Sequence, residues 1–379
     1  MKILAIYFKA ATGINIIYER IFTELAKHAE VDVVSDFEPR PAFCSILRNQ
    51  YHVPFPKRTN WWYKRFLQWF GTTPVSSHWS RKVADVVAAD YDVVMAFIAS
   101  SQLTPIVCGK HLAWKLCCKF AIYSVDAIPA PGGWVSFNQY RKKRRVVRSN
   151  YPAADYVASS NRHMLEFQLS TFKHKPGLKS GVLLTPSPSR EYNNPISAEK
   201  VFLYTGNLYG LRNPAYLFTA FKRIREKYPD AKLIFVGNMI KFKGRDRILS
   251  PDDMEHIIIE KHTDDLNPLF SRASVLIDID ADRDKDPFLS SKVTSYLKVN
   301  RMIVCETGHD TPSRELFAGY NTIIQCEHGS ESMYNGMLKA LEMSATEQDY
   351  SERAPLIEKF SIETVSGKLL QDLKDLCRK

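Results

Sequence analysis

The residues best suited to chemistry stand at Ser290-Ser291-Lys292, directly before Val293, Tyr296 and Leu297, apolar positions at helical spacing. Hydroxyls and a lysine at a helix start lie where unpaired backbone N–H groups point outward, which is the setting for a phosphate or diphosphate. A second cation, Arg212, follows the strand-like run Val201-Phe202-Leu203-Tyr204-Thr205, which ends in Gly206. A third feature is a further strand-like run, Ala231 to Val236, ending in Gly237. Glycine at a strand end lets the backbone approach a ligand closely. Gly13, at the entrance of the first helical segment, offers the same approach in the other half of the chain.

The acidic candidates divide by setting. Asp126 ends the apolar run Phe120 to Val125, and strand C-termini line the ligand crevice of open α/β sheets. It is the candidate for orienting or deprotonating a hydroxyl. Asp286 and Glu315 flank the region around Ser290 and the strand that follows it. The run Asp278-Ile279-Asp280-Ala281-Asp282-Arg283-Asp284 invites a metal reading. A calcium loop does not fit, because Arg283 falls at the glycine position and Leu289 at the final glutamate position. No metal or cofactor is expected.

These residues need strands and helices to place them. Ile3–Phe8, Val31–Val34, Tyr91–Ala96, Phe120–Val125 and Tyr156–Ser159 read as buried strands separated by helix-length segments, the pattern of parallel βα units. The second half repeats it at 201–206, 231–237, 257–259, 275–277 and 302–304. Residues 39–80 are expected to be irregular and aromatic-rich, and 357–376 to form one helix. With 379 residues the chain suffices for two domains. An N-terminal domain is expected over 1–190, a C-terminal domain over 198–355, and a last helix over 356–379 packing toward the first. Pro186, Pro188 and Pro195 mark the linker.

The second half resembles the donor half of GT-B glycosyltransferases, in particular retaining glycosyltransferase family 4 and related bacterial polysaccharide enzymes. The resemblance rests on Leu203-Tyr204-Thr205-Gly206-Asn207-Leu208 with Arg212, on Leu233 to Gly237, and on Pro287-Phe288-Leu289-Ser290-Ser291-Lys292-Val293-Thr294-Ser295-Tyr296-Leu297 followed by Arg301 to Val304. It covers roughly residues 200–320 and is only architectural before that. It implies an α/β fold of two Rossmann-like domains facing each other across a cleft. The activity implied is transfer of a sugar from a nucleoside-diphosphate donor to a glycan or lipid-linked acceptor, with retention and without a metal. On this likeness Gly206, Arg212, Gly237, Ser290, Ser291, Lys292, Ser295 and Glu315, with Gly13, bind the donor. Asp286 lies near the transferred sugar, and Asp126 faces the acceptor. Ser295 stands where the family carries a ribose-contacting glutamate, and Asn207 where a basic residue often follows the glycine. Those departures motivate one alternative, a donor-dead binding or scaffolding subunit. A sugar-nucleotide 2-epimerase, on the same scaffold, is another.

Charge is unevenly spread. Through residue 190 there are 26 Lys/Arg against 12 Asp/Glu, and beyond it 26 against 29, for a net +11. A basic half implies an anionic partner. The aromatic segment Trp61–Phe70 and the run Arg141-Lys142-Lys143-Arg144-Arg145 with Arg148 suit an anionic membrane surface. No recognised nucleic-acid module surrounds the run, so nucleic acid is not expected as a partner. Seven scattered cysteines without C-x-x-C spacing suit free thiols. The first apolar run is too short for a secretory signal and no window reaches a membrane span. A cytoplasmic protein, peripheral at the inner membrane face, is expected.

Overall fold

The computed structural model describes residues 1–10, 12–40, 43, 45–56, 61–87, 90–237, 248–263 and 265–378. Ala11 and Cys44 lie outside these, as do the side chains of Thr12, Tyr63, Lys64, Leu67 and Gln68. The chain forms two compact units, one from Met1–Pro186 with Ser361–Lys379, the other from Ser187–Phe360.

Among the described residues, unit 1 carries a seven-stranded sheet in the order β3-β2-β1-β4-β5-β6-β7. The strands are β1 Lys2–Tyr7, β2 Glu30–Ser35, β3 Asn49–His52, β4 Val93–Ile98, β5 Lys119–Ser124, β6 Tyr156–Ser159 and β7 Lys179–Val182, all parallel. Parallel strands covered on both faces need apolar residues at every position rather than at alternate ones. Val93-Val94-Met95-Ala96-Phe97-Ile98 meets that demand, each residue being buried. One face packs on Trp79, Val83, Ile106 and Leu112, the other on Tyr18, Phe22, Leu25, Leu369 and Leu373. The last two belong to the helix Ile362–Cys377, which is also tied to the sheet by the Tyr156 hydroxyl donating to Asp372 Oδ2 at 2.7 Å.

Two expectations about regularity are corrected. Residues 39–80 hold β3, the helix Trp61–Phe70 and most of the helix Pro74–Val86. The Asn49-Gln50-Tyr51-His52 strand is short and polar because it sits at the sheet edge, so no apolar alternation marks it. The dense aromatics of Trp61–Phe70 hide a helical stripe. Thr73 caps the next helix, its hydroxyl accepting from the Ser76 N–H at 2.9 Å. The C-terminal stretch is two helices, Ala354–Lys359 and Ile362–Cys377. It breaks at Phe360-Ser361, where Ser361 caps the second helix by accepting from the Thr364 N–H.

Unit 2 repeats the plan among its described residues with six parallel strands in the order β10-β9-β8-β11-β12-β13. They are β8 Val201–Thr205, β9 Lys232–Val236, β10 Ile257–Glu260, β11 Val275–Ile279, β12 Met302–Glu306 and β13 Ile323–Cys326. This is the doubly wound Rossmann order, reversing direction between β8 and β11.

Arg353 closes the end of this sheet opposite the strand C-termini. It is fully buried, and donates to Val299 O at 3.0 Å, Arg301 O at 2.7 Å and Thr322 O at 2.7 Å, and to the Thr322 hydroxyl at 2.8 Å. Burial lowers its guanidinium to about 10, still charged at neutral pH. Arg353→Met strands those carbonyls without donors. We expect it to lower stability by about 3 kcal/mol or more, read as a fall in the urea midpoint. An unchanged midpoint would mean that the carbonyls find other donors.

Candidate functional site at the strand reversal of unit 2

The reversal between β8 and β11 leaves a crevice at the strand C-termini, where open α/β sheets take ligands. Two glycines shape it. Gly206 has φ +109° and Gly237 φ +122°, values that a side chain opposes. The Gly206 N–H donates to Val236 O at 2.7 Å. A Cβ at Gly237 would come within 2.8 Å of Gly206 O, and one at Gly206 within 2.8 Å of Lys292 Cδ. The two strand ends and the lysine stem are thus packed as one unit. Tyr296 fixes the same corner, its hydroxyl accepting from the Thr205 N–H at 2.8 Å.

Lys292 is largely buried, its Nζ 3.2 Å from Asp278 Oδ1 and 4.8 Å from the centre of the Tyr204 ring. Burial lowers its ammonium from the ordinary range and the Arg212 charge adds to that, while Asp278 opposes both. Ser290 is fully buried and its hydroxyl donates to the same Asp278 oxygen at 2.8 Å. Ser291 is exposed at the start of the short helix Ser291–Tyr296, and Ser295 is half-buried within it. Arg212 lies over the Tyr209 ring at 5.2 Å. Burial works against its charge, but Tyr209, Tyr204, Asp278 and Asp280 hold its guanidinium above the usual range.

The strand-end acids were the unanticipated part. Asp278, near the end of β11, and Asp280, just beyond it, lie close to the Lys292 and Arg212 cations. Among the described residues, no group of three or more His, Cys, Asp or Glu side chains is gathered as ligands would be. Asp280 is buried, with Oδ2 lacking a hydrogen-bond partner. Burial and the neighbouring Asp278 push its carboxyl up to about 7, against the pull of Ser313, Arg212 and Thr307. Next to it, Glu306 ends β12 and its Oε1 lies 2.8 Å from His328 Nδ1. Burial raises the Glu306 carboxyl. The His328 imidazole is also raised, burial being outweighed by Glu306. The sequence signal was an acid closing an apolar run, Met302-Ile303-Val304-Cys305-Glu306.

The remaining anticipated residues are dispersed. Asp286 is buried on the connection before Lys292, accepting from the Phe288 N–H at 3.2 Å. Glu315 is exposed on the helix Pro312–Leu316. In unit 1, Gly13 lies within the helix Thr12–Ala26, and a Cβ there would meet open space. Asp126, half-buried after β5, accepts from the Ser100 N–H at 2.7 Å, while Lys143 Nζ donates to the Ser100 hydroxyl at 2.5 Å. Burial raises the Asp126 carboxyl, with the Ser100 amide and Lys143 pulling the other way.

No family model and no curated protein matches this chain. Solved structures do. HepE of Anabaena, solved with UDP and glucose, matches at 11% identity and TM-score 0.69, over 99% of each chain. Sucrose-phosphate synthase of Thermosynechococcus elongatus matches at 15% identity and TM-score 0.72, over 99% of each chain. The UDP-GlcNAc 2-epimerase of Neisseria meningitidis matches at 12% identity and TM-score 0.57, over 99% of this chain and 100% of its own. The fold is that of the GT-B glycosyltransferases. Its two Rossmann-like units account for both sheets described above.

The Asp280 carboxyl sets a pH dependence. Its folded value, about 7, exceeds the ordinary carboxylate value of about 4. The folded state therefore keeps a proton that the unfolded state loses, and stability falls as pH rises from about 4 to about 7. Asp280→Asn removes that contribution. We expect the drop in urea midpoint between pH 5 and pH 8 to be smaller in the variant than in the wild type. Equal drops would show that Asp280 holds no such proton.

Proposed function

We propose that this chain is a glycosyltransferase that takes a sugar from a nucleoside-diphosphate donor bound at the β8–β11 crevice. The observation that carries the reading is Lys292, seated under the Gly206 turn at that crevice with Arg212 near by. Leaving-group charge grows on the diphosphate as the glycosidic bond breaks, and fixed cations stabilise it there. Lys292, Arg212 and the exposed Ser291 bind the diphosphate. The Gly206 and Gly237 turns admit it closely, and Ser295 and Glu315 border the ribose and sugar. Ser290 acts indirectly, holding Asp278 in place. Asp278 favours the charged form of Lys292 against its burial, and an arriving diphosphate competes with it for the ammonium. The solved structure of HepE with UDP and glucose supports a donor of the uridine class.

Asp286 lies nearest the transferred sugar, and Asp126, beside Ser100 and Lys143, orients the acceptor hydroxyl. Transfer proceeds with retention and without a metal. The acceptor is a glycan or a lipid-linked glycan of a surface polysaccharide or glycoconjugate. An anionic membrane surface meets the basic unit through Trp61–Phe70 and Arg141–Arg148, as a peripheral association. Among the described residues, no helix is long and apolar enough to cross a membrane.

A ligand-observed NMR screen against nucleoside diphosphates and their sugars tests the donor assignment. One sugar nucleotide should bind selectively, and Lys292→Ala should weaken it at least about tenfold, a loss of about 1.4 kcal/mol. Lys292→Ala also strands the buried Asp278 carboxylate, so its thermal midpoint should fall as well. Unchanged affinity in a folded Lys292→Ala protein would remove the clamp. No binding across the panel by folded wild type would favour a donor-dead subunit. Epimerised donor in place of a transferred sugar would favour the 2-epimerase.

A further inference from the structure

Unit 1 has a strand reversal of its own, between β1 and β4, and open α/β sheets take ligands at such a reversal. Lys9 follows the end of β1, Ser100 the end of β4 and Asp126 the end of β5. Hydrogen bonds hold the three together. Ala99 and Gln102 exchange backbone bonds at 3.3 and 2.8 Å, closing a tight turn with Ser100 and Ser101 at its tip. Gln102 Nε2 donates to Lys9 O at 2.7 Å, and the Ser100 N–H donates to Asp126 Oδ2 at 2.7 Å.

Lys143 comes to the same turn from the helix Phe137–Asn150. The arginines around it, Arg141, Arg144, Arg145 and Arg148, are exposed. Lys143 is half-buried instead, and its Nζ donates to the Ser100 hydroxyl at 2.5 Å. Among the described residues no carboxylate forms an ion pair with it. Burial lowers its ammonium, with Asp126 pulling the other way. A desolvated ammonium whose partner is a neutral hydroxyl costs free energy that an anion would offset. The acids at this end serve backbone groups: Asp36 accepts from the Lys9 N–H at 2.8 Å, and Asp126 Oδ2 from Ser100.

The bonding capacity left over defines a ligand. Lys143 has further N–H donors, and the Ser100 hydroxyl, which accepts from Lys143, keeps its own hydrogen to donate. Lys9 is exposed beside the turn, and Asp126 Oδ1 accepts from no described residue. Donors from three segments suit a group with several charged oxygens, and lysine binds phosphate as a point charge. We infer that this end of unit 1 is an anion subsite for the acceptor, in which Lys143 and Ser100 hold a phosphate while Asp126 Oδ1 takes a neighbouring hydroxyl. The acceptor is then a phosphate-bearing alcohol, since a neutral glycan would leave Lys143 with Ser100 alone. The inference rests on the acceptor role given to Asp126 in the proposed function and adds what that acceptor carries.

The probe is glycerol 3-phosphate, which has both groups, titrated into the full-length protein by ligand-observed NMR. Glycerol supplies the hydroxyls alone, glycerate a carboxylate in place of the phosphate, and UDP the diphosphate of a donor. Glycerol 3-phosphate should bind at least about tenfold more tightly than glycerol or glycerate. Lys143→Met keeps most of the stem and should weaken it at least about tenfold. Ser100→Ala, at the tip of the turn, should weaken it at least about threefold. Lys292→Ala should leave it unchanged, and UDP should bind Lys143→Met as it binds the wild type. Equal binding of glycerol or glycerate would overturn the inference, as would undiminished glycerol 3-phosphate binding in either folded unit 1 variant. A loss of glycerol 3-phosphate in Lys292→Ala alone would place the phosphate in unit 2, and a loss of UDP in Lys143→Met would assign that lysine to the donor. Either result would overturn it too. UDP binding to none of the proteins would count against the donor assignment, while the glycerol 3-phosphate results would still decide the subsite.

Discussion

Burying the Lys292 ammonium beside the Asp278 carboxylate is the constraint around which the second unit is arranged. Neither charge would be tolerated alone in that setting, so each fixes the other. Asp278 is placed by β11 and Lys292 by the short helix that follows. The lysine stem then closes against Gly206, which can have no side chain because the stem occupies that space. Tyr296, on the same short helix, reaches back to Thr205. β11, the short helix Ser291–Tyr296 and the distant Thr205-Gly206 turn converge on one ion pair.

A buried pair of this kind is weak evidence of net stabilisation. Its use lies in position. It holds a cation at a strand reversal largely shielded from water, and it supplies a carboxylate with which an anion at the proposed donor site would compete. Asp280 adds a second acid that resists ionisation for the same reason. The charge at the crevice is therefore set by two cations against one carboxylate and a second acid that resists ionisation, not by the cations alone.

The fold was legible where burial on both faces writes itself into the residues, as in Val93–Ile98 or Leu233–Val236. It was not legible at β3 or β13, whose short runs Asn49-Gln50-Tyr51-His52 and Ile323-Ile324-Gln325-Cys326 carry polar residues at or near sheet edges. The association of Gly206, Gly237 and Lys292 could be read from strand-ending glycines and a lysine at a helix start. The role of Asp278 could not, because pairing across a strand reversal depends on which strands are neighbours. The spacing of Asp278 and Asp280 invited only a metal reading, which the neighbouring residues did not fit, and gave no hint of a lysine partner. Asp126 shows the converse: the sequence marked its place at a strand end, but the Ser100 amide that it accepts from comes from another strand's turn.

Unit 1 is assembled from both ends of the chain. The helix Ile362–Cys377 places Val365, Leu369, Leu373 and Leu376 against Ile3, Ile21 and Phe22, and the residues between Pro186 and Ser361 belong to the other unit. During synthesis at roughly 5–20 residues per second, that intervening stretch takes on the order of ten to thirty seconds. For that interval the first unit lacks the helix that covers one apolar face of its sheet. The earliest-made core can be sealed only after the whole of the second unit has been made.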